Sequence, residues 1–192
     1  MLISNDIVMG LHWTPPADDR RAGPEAANLD AVCILLDGDG RKLEVICPGH
    51  LKSANGSVAH TGDSRTGASA WDDERIFVFV DALPGYVDSL VLGVVSHDRP
   101  FSDVAGASCH ISDFRMEDEL LRIPLTSLVT EFCIATVQRC ASGWIMRRRG
   151  PGGARLGDVL SLPSSREVEA SYGAESTDAN QMNFKSTRLS PF

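Results

Sequence analysis

No stretch of this chain stays apolar for the ~18 residues that a bilayer-spanning helix needs. Its opening, MLISNDIVMGLHW, lacks the basic segment and apolar core of a secretory leader, so a cytoplasmic protein is expected. Positive charge is also short. Lys and Arg number 18 against 26 Asp and Glu, a formal net charge of −8. That balance argues against non-specific nucleic-acid binding and against an anionic membrane surface as partner. The five cysteines (Cys33, Cys47, Cys109, Cys133 and Cys140) are odd in number and include no C-x-x-C, which excludes a zinc knuckle and a thioredoxin-like pair. Cys33 and Cys133 lie in apolar runs, where cysteine serves as a small buried hydrophobe.

Catalytic signatures are missing too. His12, His50, His60, His97 and His110 contain no H-x-x-x-H pair, so spacing offers no transition-metal site. There is no G-x-S-x-G. Ser96, His97 and Asp98 are consecutive, and neighbours on a strand face opposite ways, so they cannot form a triad. The segment GPGGARLGD (150–158) lacks the G-K-[ST] ending of a phosphate-binding loop. DGDGRKLEVICP, counted from Asp37, puts Arg41 at position 5 and Pro48 at position 12, where an EF-hand needs an oxygen ligand and a bidentate Glu.

What is present is a series of short segments rich in Val, Ile and Phe, with turn residues about every ten positions. That spacing predicts an all-β fold, an antiparallel β-sandwich of two packed sheets. The expected strands are 7–11, 29–36, 42–47, 57–60, 75–80, 89–97, 104–113, 119–124, 131–138 and 143–149. DGDGR (37–41) is a hairpin turn in which Asp-Gly supplies positive φ. Strands 75–80 and 89–95 are apolar on both faces and read as interior, with Gly93 marking a bulge or a close approach. Arg147, Arg148 and Arg149 read as a solvated edge that deters strand addition. Residues 14–28 are a polar insertion. A short helical turn is expected over 155–162, and 163–192 reads as a disordered tail. One domain, residues 1–162, precedes that tail.

Residues 60–74, HTGDSRTGASAWDDE, carry most of the functional information. Asp63, Asp72, Asp73 and Glu74 crowd one loop against the single Arg65, with hydroxyls at Thr61, Ser64, Thr66 and Ser69. Like charges held together call for a counterion, and a hard cation with about six to eight oxygen ligands suits them. A solvated acidic turn is the plain alternative.

GLHW (10–13), LDAVCILLDGDG (29–40), GSVAHTGDSRTG (56–67) with DDERIFV (72–78), VVSHD (94–98) and SGWIMRRRG (142–150) follow the order and spacing of the TerD domain, which the chain resembles over about residues 7–162. The resemblance implies a compact β-sandwich that binds calcium, usually two ions, through the acidic loop and a strand aspartate. It implies an intracellular role in bacterial responses to tellurite and other stresses. Such proteins resemble calcium-linked scaffolds more than enzymes, working beside partner stress proteins at the inner face of the membrane. By position, the implied metal residues are Asp30, Asp63, Asp72, Asp73 and Glu74, with backbone oxygens at Thr66 and Gly67.

The chain also departs from the family pattern. Where the family loop reads T-G-E-G-D-G-D-D-E, this one reads TGASAWDDE. Ala68 and Ala70 replace two carboxylates, and Ser69 and Trp71 replace two glycines. Two calcium sites need about twelve oxygens, while five carboxylates carry at most ten between them. One weakened calcium site, or none, is therefore expected. Two alternatives stand beside that reading. One is a metal-independent interaction module in which Trp71 fills the emptied loop and anchors a partner; the other is a hydrolase acting on a phosphate or tellurium species through the acidic loop.

Overall fold

The protein is described here from a computed structural model covering residues 1–15, 27–115, 118–149 and 156. Eleven strands occur among these residues: β1 (Leu2–Ile3), β2 (Ile7–His12), β3 (Leu29–Leu36), β4 (Lys42–Ile46), β5 (Val58–His60), β6 (Glu74–Val78), β7 (Ser89–Ser96), β8 (Ser108–Asp113), β9 (Glu119–Pro124), β10 (Glu131–Cys140) and β11 (Gly143–Arg148). They form two antiparallel sheets. The six-stranded sheet runs β1-β11-β10-β7-β3-β4 and the five-stranded sheet β5-β6-β2-β8-β9. The expected all-β, two-sheet architecture is what the structure shows.

Every expected strand is present, and the differences at their ends have local causes. β6 stops at Val78 because Val80 enters a 3₁₀ turn, Val80–Ala82, where its N–H is taken by Asp6 Oδ1 at 3.0 Å. β8 starts at Ser108, not 104, because Phe101–Asp103 form a second 3₁₀ turn and Val104 N–H bonds back to Phe101 O. β1 escapes sequence reading because two residues carry no period. It pairs Leu2 with Ile145 and Ile3 with Trp144. β1 thus covers β11 from Trp144 to Met146, and the expected edge at Arg147–Arg149 lies beyond it. At 37–41 the hairpin is held by Asp37 Oδ1, which accepts the Asp39 and Arg41 N–H groups at 2.9 and 2.8 Å.

The core lies between the sheets. Ile7, Met9, Leu11 and Trp13 from the β2 segment meet Leu29, Ala31, Cys33 and Leu35 of β3 and Leu90, Leu92 and Val94 of β7. A smaller cluster covers the outer face of the six-stranded sheet: Val32, Ile34, Leu36, Val91, Cys133 and Leu156. β7 is thus buried on both faces, as its sequence indicates. Leu156, in helical conformation, sits where a Cβ on Gly93 would come within 2.1 Å of its Cδ1. Gly93 is therefore a close approach, and a bulge lies opposite it, between Cys133 and Ala135. β6 differs from expectation. Glu74, Ile76 and Val78 are buried, but Arg75 and Phe77 are only half-buried, with Phe77 meeting the exposed Phe114 ring edge-on at 5.6 Å.

All five cysteines are free. Burial pushes the Cys33 thiol up to about 12 and the Cys133 thiol to about 11, and raises Cys109 as well, so these three are inert packing groups. Among the described residues no helix is long and apolar enough to cross a membrane. Met1–Leu162 form one compact unit. The expected tail at 163–192 lies outside the described residues, as do most of the 14–28 insertion and all of the 155–162 helical turn except Leu156.

Candidate metal centre

The acidic loop lies at one end of the sandwich, where β3 begins in one sheet and β6 begins in the other. Consecutive residues entering a strand alternate in direction, and Asp72, Asp73 and Glu74 go three separate ways. Glu74 points into the core and is fully buried. Its Oε2 accepts the Ala31 N–H at 2.8 Å, across the gap between sheets, and its Oε1 accepts Ser64 N–H at 3.0 Å. Ala31 needs such a partner because β4 has ended. Carried two residues beyond the Cys33–Ile46 pair, the register would place Pro48 opposite Ala31, and proline has no N–H to give the Ala31 carbonyl either. The Ala31 carbonyl is served in the same way, by His60 Nε2 at 3.2 Å.

His60 is itself fixed. Gly62 N–H donates to its Nδ1 at 2.9 Å, so Nε2 carries the proton and faces both Ala31 O and Glu74 Oε2, the latter at 3.3 Å. Asp30, on β3, receives a second histidine: His97 Nε2 lies 2.7 Å from its Oδ2. The other oxygen, Asp30 Oδ1, is buried and has no hydrogen-bond partner. A buried, unpaired carboxylate oxygen is costly unless something positive faces it. Asp63 completes the group. Single oxygens of Asp30, Asp63 and Glu74 lie within 4.8 Å of one another, a spacing that fits one metal ion.

The other expected ligands are engaged elsewhere. Asp72 turns outward over Gly10, where a Cβ would meet its carboxylate at 2.6 Å and His110 Nε2 at 2.2 Å. There its Oδ1 pairs with His110 Nε2 at 3.0 Å and its Oδ2 accepts Arg75 Nε at 2.8 Å. His110 Nδ1 continues the chain to Ser112 Oγ at 2.9 Å. Burial works to raise the Asp72 carboxyl, but the bonds and charges of His110 and Arg75 outweigh it and hold it below the ordinary carboxylate value. Asp73 pins the loop to β2, accepting Trp13 N–H on Oδ2 and Ser69 N–H on Oδ1, each at 3.0 Å. His12 Nδ1 also lies 3.0 Å from Asp73 Oδ2. Thr66 is exposed, and Gly67, at φ +60°, packs on the Trp13 indole so closely that a Cβ would lie 2.3 Å from its Nε1.

Trp71 does not fill the loop. It is 77% exposed and stands at the rim of an open cleft of about 390 Å³, lined also by Thr61, Asp63, Asp73 and Arg75. The ring that fills the space beneath the loop is Trp13, fully buried. Spacing could not reveal the histidine shell, because each partner comes from a distant segment. The available signal was that His12, His60 and His97 each sit inside one of the recurring motifs.

As for the residues' fit to calcium, three converging carboxylates and one orphaned oxygen suit a single ion. With Asp72 and Asp73 committed to His110, Arg75, Trp13 and Ser69, the described residues do not assemble a second set.

A profile of the TerD domain matches residues 3–157. The chain is 33% identical to the tellurium resistance protein TerD of an Alcaligenes species, covering 86% of this chain and 89% of that protein. It is 32% identical to stress response protein SCP2 of Bacillus subtilis strain 168, covering 81% and 87%. In fold it is similar to the crystal structure of a TerD homologue from Streptomyces coelicolor A3(2), with a TM-score of 0.68 and 23% identity over 83% of this chain and 99% of that one.

Proposed function

The chain belongs to the TerD domain family, and from that premise we propose that it is a cytoplasmic binding or scaffold module of a bacterial stress response, tellurite stress included, that holds one divalent cation in a weakened calcium site. The observation that carries the reading is the meeting of Asp30, Asp63 and Glu74 oxygens within 4.8 Å, with Asp30 Oδ1 buried and unpaired. Such a site suits a binding role better than an enzymatic one. Two of its three carboxylates are held by histidines, and Glu74 doubles as a structural bridge. Its partners are other stress-response proteins, engaged at the inner face of the membrane.

Thermal melting in calcium and in chelator tests this. A ligand that binds only the native state stabilises it by about 2.7 kcal/mol at a hundredfold excess over Kd, or about 5–10 °C for a domain of this size. A midpoint indifferent to both conditions removes the metal role and leaves the fold assignment intact. A second reading, metal-independent docking, is favoured by the exposure of Trp71 at the cleft rim, since an aromatic ring there is a ready contact anchor. Trp71→Ala should then abolish association with a TerD-family partner, and unchanged association counts against it.

A further inference from the structure

We propose that a cleft at the other end of the sandwich, walled by Leu43, Glu44, Pro84 and Tyr86, docks a partner protein by taking the side chain of one of its exposed arginines. The inference does not depend on the cation-binding reading above. Leu35, which also lines this cleft, lies five residues along β3 from Asp30, or about 17 Å at the rise of a strand. Both ends can therefore be occupied at once.

The lining chemistry names the occupant. The cleft holds about 440 Å³, a size suited to a bound group. Leu35 and Val87 are buried in its wall, while Leu43 and Tyr86 stand open at 42% and 65% exposure. Such a surface suits a long alkyl stem. Among the described residues that line it, Glu44 is the one ionised group. Its Oε1 accepts His50 Nε2 at 2.7 Å, and Ala54 N–H is shared between Oε1 and Oε2 at 3.1 and 3.2 Å. Oε2 keeps a lone pair for a further donor, since a carboxylate oxygen has two. An anionic group would be repelled here, and a wholly apolar one would strip water from Glu44 without replacing it. A guanidinium meets both demands, and the Tyr86 ring adds a face on which it can lie. The formal charge of −8 draws cationic partners toward the chain.

The walls are already ordered. Arg139 donates from Nε to Val87 O at 3.0 Å and from Nη2 to Pro84 O at 2.9 Å, with its guanidinium 4.3 Å from the Trp144 ring centroid. Val87 N–H closes the turn on Pro84 O at 3.0 Å. The connection that carries Tyr86 is thus held through its backbone carbonyls, and the Tyr86 ring is left to the cleft. Across from it, Asn55 Nδ2 donates to Ala82 O at 2.8 Å and its Oδ1 accepts Ser57 N–H at 3.1 Å. That bridge ties one wall to the other. A partner is spared the cost of ordering them.

The test uses acetylated, amidated pentapeptides of sequence Gly-Leu-X-Leu-Gly, with X arginine, citrulline or glutamate. Citrulline keeps the shape of arginine and lacks its charge. Each is titrated into the ¹⁵N-labelled full chain and followed by amide shifts. The arginine peptide should move the amides of Leu43, Glu44, Tyr86 and Val87 and leave those of Asp30, Asp63 and Glu74 unmoved. It should bind about fivefold tighter than the citrulline peptide, the upper end of what a partly exposed ion pair supplies, and the margin should shrink as salt is raised. Glu44→Gln keeps an oxygen for Ala54 N–H and should erase the margin. Tyr86→Ala should weaken the arginine peptide by about threefold or more with the melting midpoint unchanged, since the ring is exposed. Equal binding of arginine and citrulline, a margin that survives Glu44→Gln, or shifts confined to other surfaces overturns the inference. So does the absence of binding by all three peptides. None of these outcomes bears on the metal centre, which calcium and chelator test separately.

Discussion

At the scale of residues, three consecutive acids do three different jobs, decided by what each meets. Asp72 shows this best, since its charge is spent on His110 and Arg75 across the floor left by Gly10. Asp72→Asn keeps the shape and removes the charge, and should cost about 1.5–3 kcal/mol at pH 7, the range for hydrogen bonds involving a charged group. The pH dependence follows from the direction of its shift. A carboxyl held below its unfolded value of about 3.9 contributes in full above that value, and its contribution fades as pH falls through the lower folded value. Urea unfolding should therefore show a gap between the two proteins at pH 7 that narrows progressively as pH falls below about 3.9. A gap that persists in acid would assign the effect to packing instead. The acids themselves were legible in the sequence, and so was Asp30. Their destinations were not, because His110, Trp13 and Ala31 reach the loop only through the tertiary fold.

At the scale of elements, alternation and turn residues located all ten expected strands, and the errors fell where a side chain or backbone turn took over: Asp6 on Val80, the 3₁₀ turn at Phe101, the two-residue β1. Gly93 was legible as a close approach, though its partner was not, since Leu156 lies far along the chain. That contact is testable. A Cβ at Gly93 would meet Leu156 Cδ1 at 2.1 Å and the Phe132 carbonyl at 2.9 Å, so Gly93→Ala should destabilise by about 1–3 kcal/mol through overpacking. Leu156→Ala should cost about 2–5 kcal/mol by emptying the outer cluster. Combined, they should cost less than the sum, with a coupling of about 0.5–3 kcal/mol, because the second change makes room for the first. Some penalty must remain, since the Phe132 carbonyl is backbone. Strict additivity in denaturant melts would show that Leu156 is not seated against Gly93.

At the scale of the whole molecule, the number of strands pointed to two sheets, but which strand joins which sheet could not be read locally. The order β1-β11-β10-β7-β3-β4 brings the first strand beside the last of the described strands, and such pairings depend on long-range closure. The bridge from Glu74 to Ala31 is of this kind, joining residues 43 apart in the chain and in different sheets. It therefore has a place in time as well as in space. Neither sheet can make it alone, so it forms only once the two have docked and is absent from any state in which they have not. Interactions that late should act on the escape from the native state and hardly at all on the approach to it. In chelator, Glu74→Gln should speed unfolding on the order of tenfold and leave the refolding arm of a chevron superimposable. Slower refolding would place the docking of the sheets before the rate-limiting step. The acidic end of the sandwich is, on this account, the clasp that sets how long each molecule stays folded.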